Sequence, residues 1–152
     1  MLIKLFESFN KLNLITKEFM SNGWSESEVD ELIKDKYFDS FDFIDDDSFY
    51  VYRNITVLNT EIDKFEKTYF NNDIGIYWSL SNDTRALWGD RGDGDDINRT
   101  EYQCIGILKI KDINWQELRY AYDDFYPHFL DEREMRAIYP QKNIKIIKCY
   151  QD

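Results

Sequence analysis

The sequence predicts a single domain with an α+β fold. Apolar residues near the N-terminus recur at spacings of three and four, the period of an amphipathic helix, whereas later segments are short and alternate between apolar and polar residues as β-strands do. Of the 152 residues, 43% are hydrophobic and 17% are aromatic. A chain of this length buries about 70% of its extended surface, so one core is sufficient and intrinsic disorder is disfavoured.

Two helices are predicted ahead of the first strand. The helical spacing of apolar side chains covers residues 2–20. Ser25 and Glu28 form a capping box, which opens the second helix. We therefore expect residues 1–45 to be a helical segment that packs on the same domain as residues 46–152.

Strands and helices alternate in the rest of the chain and then give way mainly to strands, an order that favours α+β over a doubly wound parallel sheet. Because residues 139–142 connect the last two strands, these two strands are expected to form a hairpin. The predicted strands cover residues 49–55, 75–80, 102–110, 135–138 and 144–149, and the predicted helices cover residues 60–69, 84–88 and 115–122.

The charge of the chain limits its partners. Acidic residues outnumber basic ones by 30 to 19, which gives a formal charge of −11. A surface of this sign repels phosphate backbones, so nucleic-acid binding is disfavoured, while a basic protein partner and simple solubility both remain open. The sequence shows neither a signal-peptide pattern nor an apolar run of the ~20 residues that span a membrane. We expect a cytoplasmic protein with no membrane partner.

Cysteine and histidine usage gives no reason to expect a metal or a disulfide. Cys104 and Cys149 are each flanked by strand-like residues, and in a reducing cytoplasm such cysteines are more often buried thiols than a disulfide. One histidine in the whole chain leaves a structural zinc site short of ligands. The aspartates in residues 90–96 lack the spacing of a calcium-binding loop.

Three segments each place a polar group among aromatic or aliphatic residues: Val51-Tyr52-Arg53, then residues 75–81, then Glu132-Arg133-Glu134. An arginine offers a planar, bidentate donor for phosphates. Two glutamates separated by one residue in a strand share a face, with Cβ atoms about 7 Å apart, and paired carboxylates divide the acid and base work on a glycosidic bond. Taken singly, each segment has an ordinary structural explanation: Arg53 as an ion-pair residue, Ser79 as a strand serine and Glu132-Arg133-Glu134 as a solvated charge run. The hypothesis of a shared site therefore depends on the order in which the three segments occur.

In this order the segments resemble the Arg-Ser-Glu class of mono-ADP-ribosyltransferases, over about residues 50–150. The resemblance implies an ADP-ribosyltransferase-like split β-sandwich that binds NAD, as a substrate, in a cleft between two small sheets without a metal. It implies that Glu134 stabilises the oxocarbenium-like transition state, Glu132 activates the acceptor and Ser79 holds Glu134. The residues it implies for NAD binding are Arg53 on the pyrophosphate, Asn54, Gly75 through its backbone, Tyr77 or Trp78 as an aromatic wall, Ser79 and Ser81.

The resemblance also suggests a target. Leu80 stands where a threonine is usual, which makes Ser79 rather than Ser81 the expected partner of the glutamate, and Glu-x-Glu resembles the arginine-modifying subgroup. Residues 120–130 occupy the place of a target-recognition loop, and the acidic residues 89–96 that of a phosphate-nicotinamide loop. We expect an effector, from a bacterium or a phage, that modifies a protein presenting a basic or arginine-containing surface. An NAD glycohydrolase and an acidic inhibitor that imitates nucleic acid and blocks a basic channel are the alternatives.

Overall fold

The computed structural model describes residues 2–68, 76–82, 98–138 and 144–151. Within these ranges the helices are α1 (Leu2–Ser21), α2 (Glu26–Lys34), α3 (Ile62–Thr68), α4 (Trp115–Asp124) and α5 (Tyr126–Asp131). The strands are β1 (Ser48–Leu58), β2 (Tyr77–Ser79), β3 (Arg99–Lys109), β4 (Glu134–Arg136) and β5 (Ile144–Gln151). Short 3-10 turns cover Phe38–Ser40, Asn59–Glu61 and Ile110–Asp112.

The described strands form one five-stranded sheet in the order β4-β2-β1-β3-β5, and every neighbouring pair is antiparallel. The two longest strands, β1 and β3, lie in the centre and pair along their whole length, from Ser48 opposite Lys109 to Leu58 opposite Arg99. The predicted α+β class is confirmed.

The expected hairpin between the last two strands is wrong. β4 pairs with β2 and β5 pairs with β3, so the two strands lie at opposite edges of the sheet. Their apolar residues pack against different neighbours: Met135 lies opposite Trp78, whereas a Cβ atom at Gly106 of β3 would come within 2.7 Å of the Ile144 side chain. The absence of a side chain at Gly106 therefore lets β5 pack closely against the centre of the sheet.

One face of the sheet, the core face, is covered by helices. Along β1 and β3 the residues with alternate spacing are buried, among them Phe49, Val51, Tyr102 and Leu108. Alternation in a strand sends every second side chain to the same side, which explains the pattern. The N-terminal helices contribute to the same apolar core as the rest of the chain. Aromatic residues of α1 and of the segments that follow α1 and α2 contact α4 and α5: Phe19 to Trp115 at 4.9 Å, Trp24 to Tyr122 at 4.6 Å and Tyr37 to Phe129 at 4.8 Å between ring centroids.

The capping box expected at the start of α2 is present. Glu28 N–H donates to Ser25 Oγ at 3.1 Å, and Ser25 N–H donates to Glu28 Oε1 at 2.9 Å. None of the helices in the described ranges has the length and apolarity needed to cross a membrane.

The two cysteines are joined, which corrects the expectation of separate thiols. Cys104 of β3 and Cys149 of β5 are directly opposite each other, with Cα atoms 4.1 Å apart, and they form a disulfide. The sequence indicates that both lie in strands, but only the pairing register brings them together. The disulfide ties the edge strand β5 to the centre of the sheet.

Candidate functional site

The sheet places the three polar segments on neighbouring strands. Tyr52 of β1 lies opposite Ser79 of β2, and Ser79 lies opposite Glu134 of β4. Paired residues of antiparallel strands project to the same side, so Tyr52, Ser79 and Glu134 form a row across the second face of the sheet, which we call the site face. Two strand spacings separate the ends of this row by about 10 Å.

Arg53 lies on the core face, unlike Ser79 and Glu134. It follows Tyr52 in β1, so alternation turns it to the opposite side, where its paired residue is Cys104. The next residue, Asn54, lies on the site face by the same alternation. The structure thus brings the arginine strand beside the serine strand without bringing the Arg53 side chain to the face that carries the glutamate.

The two aromatic candidates in β2 also separate. Trp78 is 3% exposed and belongs to the core, whereas Tyr77 is 46% exposed and lies on the site face. The Arg136 guanidinium lies over the Tyr77 ring, 4.2 Å from its centroid. Of these two candidates, Tyr77 is therefore the one that faces the site. Gly75 lies outside the described residues.

The Ser79 hydroxyl bonds to the backbone rather than to the Glu134 carboxyl, which corrects the expected contact. Ser79 Oγ donates to the carbonyl of Glu132 at 2.7 Å and accepts from the N–H of Ser81 at 3.0 Å. On the other side, Tyr37 Oη donates to the carbonyl of Glu134 at 2.7 Å. These bonds fix the main chain on both sides of Arg133, so Ser79 acts on the glutamates by positioning their backbone.

The two glutamates do not belong to one strand, contrary to expectation. Glu132 is the C-terminal cap of α5, Arg133 has a left-handed backbone with φ of 49°, and β4 begins only at Glu134. The helix ends at this point and the chain reverses through Arg133. The carboxyls nevertheless remain close, since a hydrogen bond and the charge of Glu132 both contribute to raising the pKa of Glu134.

Glu134 has the most informative electrostatics of the site. Its side chain is 13% exposed, and burial raises its pKa from 4.5 to about 7, with Glu132 adding to the rise. Arg136 opposes this change: its Nε donates to Glu134 Oε2 at 3.0 Å, and its Nη1 lies 3.4 Å from Glu117 Oε2. A carboxyl with a pKa near 7 beside a second carboxyl can exchange protons at neutral pH, as general acid–base chemistry requires.

Arg136 is a residue of this site that was not predicted from the sequence. The sequence feature that could have indicated it is the spacing Glu134-x-Arg136, which places opposite charges on one face of a strand. That spacing is common on solvated strands, and what distinguishes this one is burial, because the Arg136 side chain is only 10% exposed.

A cavity of about 260 Å³ lies beside the row at the Tyr52 end. Its walls come from the segment before β1 and from the segment that follows Ser79. Burial raises the pKa of Tyr52, and the negative charge of Asp42 contributes. The lining residues are Ser40, Asp42, Tyr52, Leu80, Ser81 and Asn82.

The segment expected to form a target-recognition loop is mostly helical. Residues 120–130 fall in α4 and α5, with Phe129 fully buried. Tyr120 and Phe125 are exposed by 52% and 47% and make an edge-to-face contact at 5.7 Å. They are the exposed large hydrophobic side chains of this segment, in which Asp123, Asp124, Pro127 and His128 are exposed as well. The acidic residues 89–96 and the helical turns predicted at 84–88 lie outside the described residues.

In the described ranges, no group of three or more His, Cys, Asp or Glu side chains is placed to hold a metal ion. Comparison of the chain with family models, with curated proteins and with solved structures gives no match, so the interpretation of this site depends on its own residues and geometry.

Proposed function

We propose that this protein is an NAD-dependent mono-ADP-ribosyltransferase that modifies a protein target, with an ADP-ribosyltransferase-like fold built on the observed sheet. The observation that carries the proposal is the pairing of Ser79 with Glu134, next to the strand that holds Arg53. Three segments far apart in the sequence meet on three neighbouring strands, and two of them, through Ser79 and Glu134, share one face of the sheet.

The reaction breaks the bond between C1′ of the ribose and the nicotinamide nitrogen, whose electron pair leaves with nicotinamide. The positive charge that develops on the ribose is stabilised by the Glu134 carboxylate, which also accepts a hydrogen bond from the 2′-hydroxyl. The acceptor nitrogen then forms a bond to C1′ and loses its proton to Glu132. Because Glu134 has a pKa near 7, its ionised form gains population as pH rises through neutrality.

Two neighbours position Glu134 for this role. Arg136 holds one carboxyl oxygen at 3.0 Å, and the backbone of Glu134 is fixed by Tyr37. Ser79 fixes the carbonyl of Glu132. Such support keeps the charge aimed where the transition state develops, which is the usual source of the largest catalytic effect.

Arg53 requires a separate test. The resemblance implies that it binds the pyrophosphate, but its side chain lies on the core face. Arg53→Lys keeps the charge and removes the bidentate fork, so a true phosphate clamp would weaken NAD binding about tenfold or more. Equal NAD affinity in wild type and variant would assign pyrophosphate binding to other residues.

The proposal is tested by NAD titration and by nicotinamide release with and without a cell lysate as acceptor. Glu134→Gln should lower the rate of nicotinamide release by at least ~10²-fold, because the charge facing the oxocarbenium is removed while the shape is kept. Glu132→Gln should reduce transfer to protein far more than nicotinamide release. Glu101→Gln, an exposed change on β3, serves as the matched control.

The outcomes separate the alternatives. An NAD glycohydrolase would release nicotinamide at the same rate with and without the lysate, and it would transfer no ADP-ribose from labelled NAD to a protein. No NAD binding at millimolar concentration would exclude both enzymes and favour the acidic inhibitor, which needs the net charge of −11 and no cleft.

A further inference from the structure

The cavity beside Tyr52 has the chemistry of a sugar site. Among the described residues that line it, the ionisable groups are the Asp42 carboxylate and the Tyr52 hydroxyl, and the other polar side chains are the hydroxyls of Ser40 and Ser81 and the amide of Asn82. Leu80 supplies an apolar surface. This described part of the lining therefore offers hydroxyls, one amide and one carboxylate as hydrogen-bonding groups.

These groups disfavour one ligand class and favour another. A phosphate would meet the negative charge of Asp42, in a chain whose formal charge is −11, and the described residues of the lining include no cation to offset that charge. Two adjacent hydroxyls of a ribose can both donate to one carboxylate, which is how an acidic residue recognises the ribose of NAD in dinucleotide-binding folds.

Size and position fit one part of a dinucleotide. The volume of about 260 Å³ is below the range of roughly 300 to 1,000 Å³ typical of pockets for whole ligands, and it suits a single sugar. The cavity includes Tyr52, which is two strand spacings from Glu134, or about 10 Å. A second ribose and a pyrophosphate can bridge that separation.

Building on the proposed function, we propose that the cavity holds the adenosine ribose of NAD, with the 2′- and 3′-hydroxyls donating to the Asp42 carboxylate, and that this contact selects NAD over NADP. The 2′-phosphate of NADP replaces one of the two donors and places negative charge against Asp42. Asp42 is exposed, and Ser40, Ser81 and Asn82 also line the cavity.

Calorimetric titration with NAD, NADP and adenosine tests this assignment. Wild type should bind NAD at least about tenfold more tightly than NADP, and adenosine should compete with NAD. Asp42→Asn should weaken NAD and adenosine binding about tenfold and narrow the difference between NAD and NADP. Asp46→Asn removes the same charge from an exposed residue outside the cavity, so it should behave as wild type.

Failure of the inference and failure of the proposed function give different results. If wild type binds and cleaves NAD but does not distinguish it from NADP, or if Asp42→Asn binds both as wild type does, the ribose assignment is overturned and the transferase proposal stands. If NAD does not bind at all, both fall. Circular dichroism of Asp42→Asn and of Asp46→Asn controls for the fold.

Discussion

Arg136 and Glu134 form an ion pair along one strand, with the guanidinium Nε 3.0 Å from the carboxyl Oε2. The two residues are separated by one position in β4, so both side chains project from the same face. Burial raises the pKa of Glu134 to about 7 although the charge of Arg136 lowers it. The value near neutrality is therefore a balance between two opposing effects, and each can be changed separately.

Removing the guanidinium should shift that balance. Arg136→Gln takes away the effects that lower the pKa of Glu134 while burial continues to raise it, so we expect the pKa to move above its wild-type value. Carboxyl carbon chemical shifts followed by NMR over a pH titration measure this directly, without reference to activity. The control is Arg133→Gln. It also removes a positive charge next to Glu134 in the sequence, but the Arg133 guanidinium donates to the Asp35 carbonyl and not to the Glu134 carboxyl. An unchanged pKa in Arg136→Gln would contradict the balance.

The raised pKa of Glu134 should also appear in stability. A carboxyl whose pKa rises from 4.5 on folding binds its proton more tightly in the native state, so its contribution is complete below pH 4.5 and is lost as pH rises to about 7. The glutamine of Glu134→Gln carries no charge at any pH, so the variant does not lose this contribution. Relative to wild type, its free energy of unfolding should therefore increase by up to about 3 kcal/mol as pH rises over this interval. Urea unfolding at pH 4 and pH 8 measures the change. A constant difference between the two proteins would show that Glu134 does not titrate there.

Local signals predicted local structure well. The Ser25 and Glu28 pattern predicted a capping box with both bonds in place, because its geometry depends on four consecutive residues. The strand predicted at 49–55 lies within β1, and that at 102–110 overlaps most of β3. Alternating residues in a strand report burial on one face, which requires no knowledge of the strand's partner.

Long-range pairing explains what the sequence could not predict. The expected hairpin failed because strands near in sequence need not pair, and the register between Cys104 and Cys149 depends on the same choice. Glu132 looked like a strand residue because no glycine marks the end of α5, where Arg133 takes the left-handed conformation. Arg136 also contacts Glu117 of α4, 19 positions earlier in the sequence, and such a contact cannot be inferred from the residues next to Arg136.

An arginine joins the N-terminal helices to α4, and its replacement should weaken that junction. Arg119 donates two hydrogen bonds to the carboxylate of Glu28, at 2.9 and 2.7 Å, and lies over the ring of Trp24 at 5.2 Å. The bonds from Arg119 lead the causes that lower the pKa of Glu28 to about 2. Arg119→Lys loses the bidentate geometry, so we expect about 1 kcal/mol less stability at pH 7, after allowing for partial exposure of the pair.

The acid dependence of this pair has a defined sign. Because the pKa of Glu28 is lowered on folding, the pair stabilises the protein above about pH 4.5 and loses its effect as pH falls towards 2. The difference between wild type and Arg119→Lys should therefore shrink over that interval. A double-mutant cycle with Glu28→Gln isolates the interaction. If the cycle shows no coupling at pH 7, the interaction between Arg119 and Glu28 does not hold α2 to α4.

The disulfide gives the largest expected effect on stability. Cys104 and Cys149 are separated by 45 residues, and closing a loop of that length lowers the entropy of the unfolded chain, which by itself stabilises the native state by about 4 kcal/mol. A reducing agent should lower Tm by roughly 10 °C for a domain of this size. The double variant Cys104→Ala and Cys149→Ala is the control, since its Tm should not respond to reductant. Differential scanning calorimetry of both proteins, with and without reductant, makes the comparison. Equal responses would assign the effect to something other than this bond, and no response in wild type would show that the β3 and β5 pairing alone holds the edge strand.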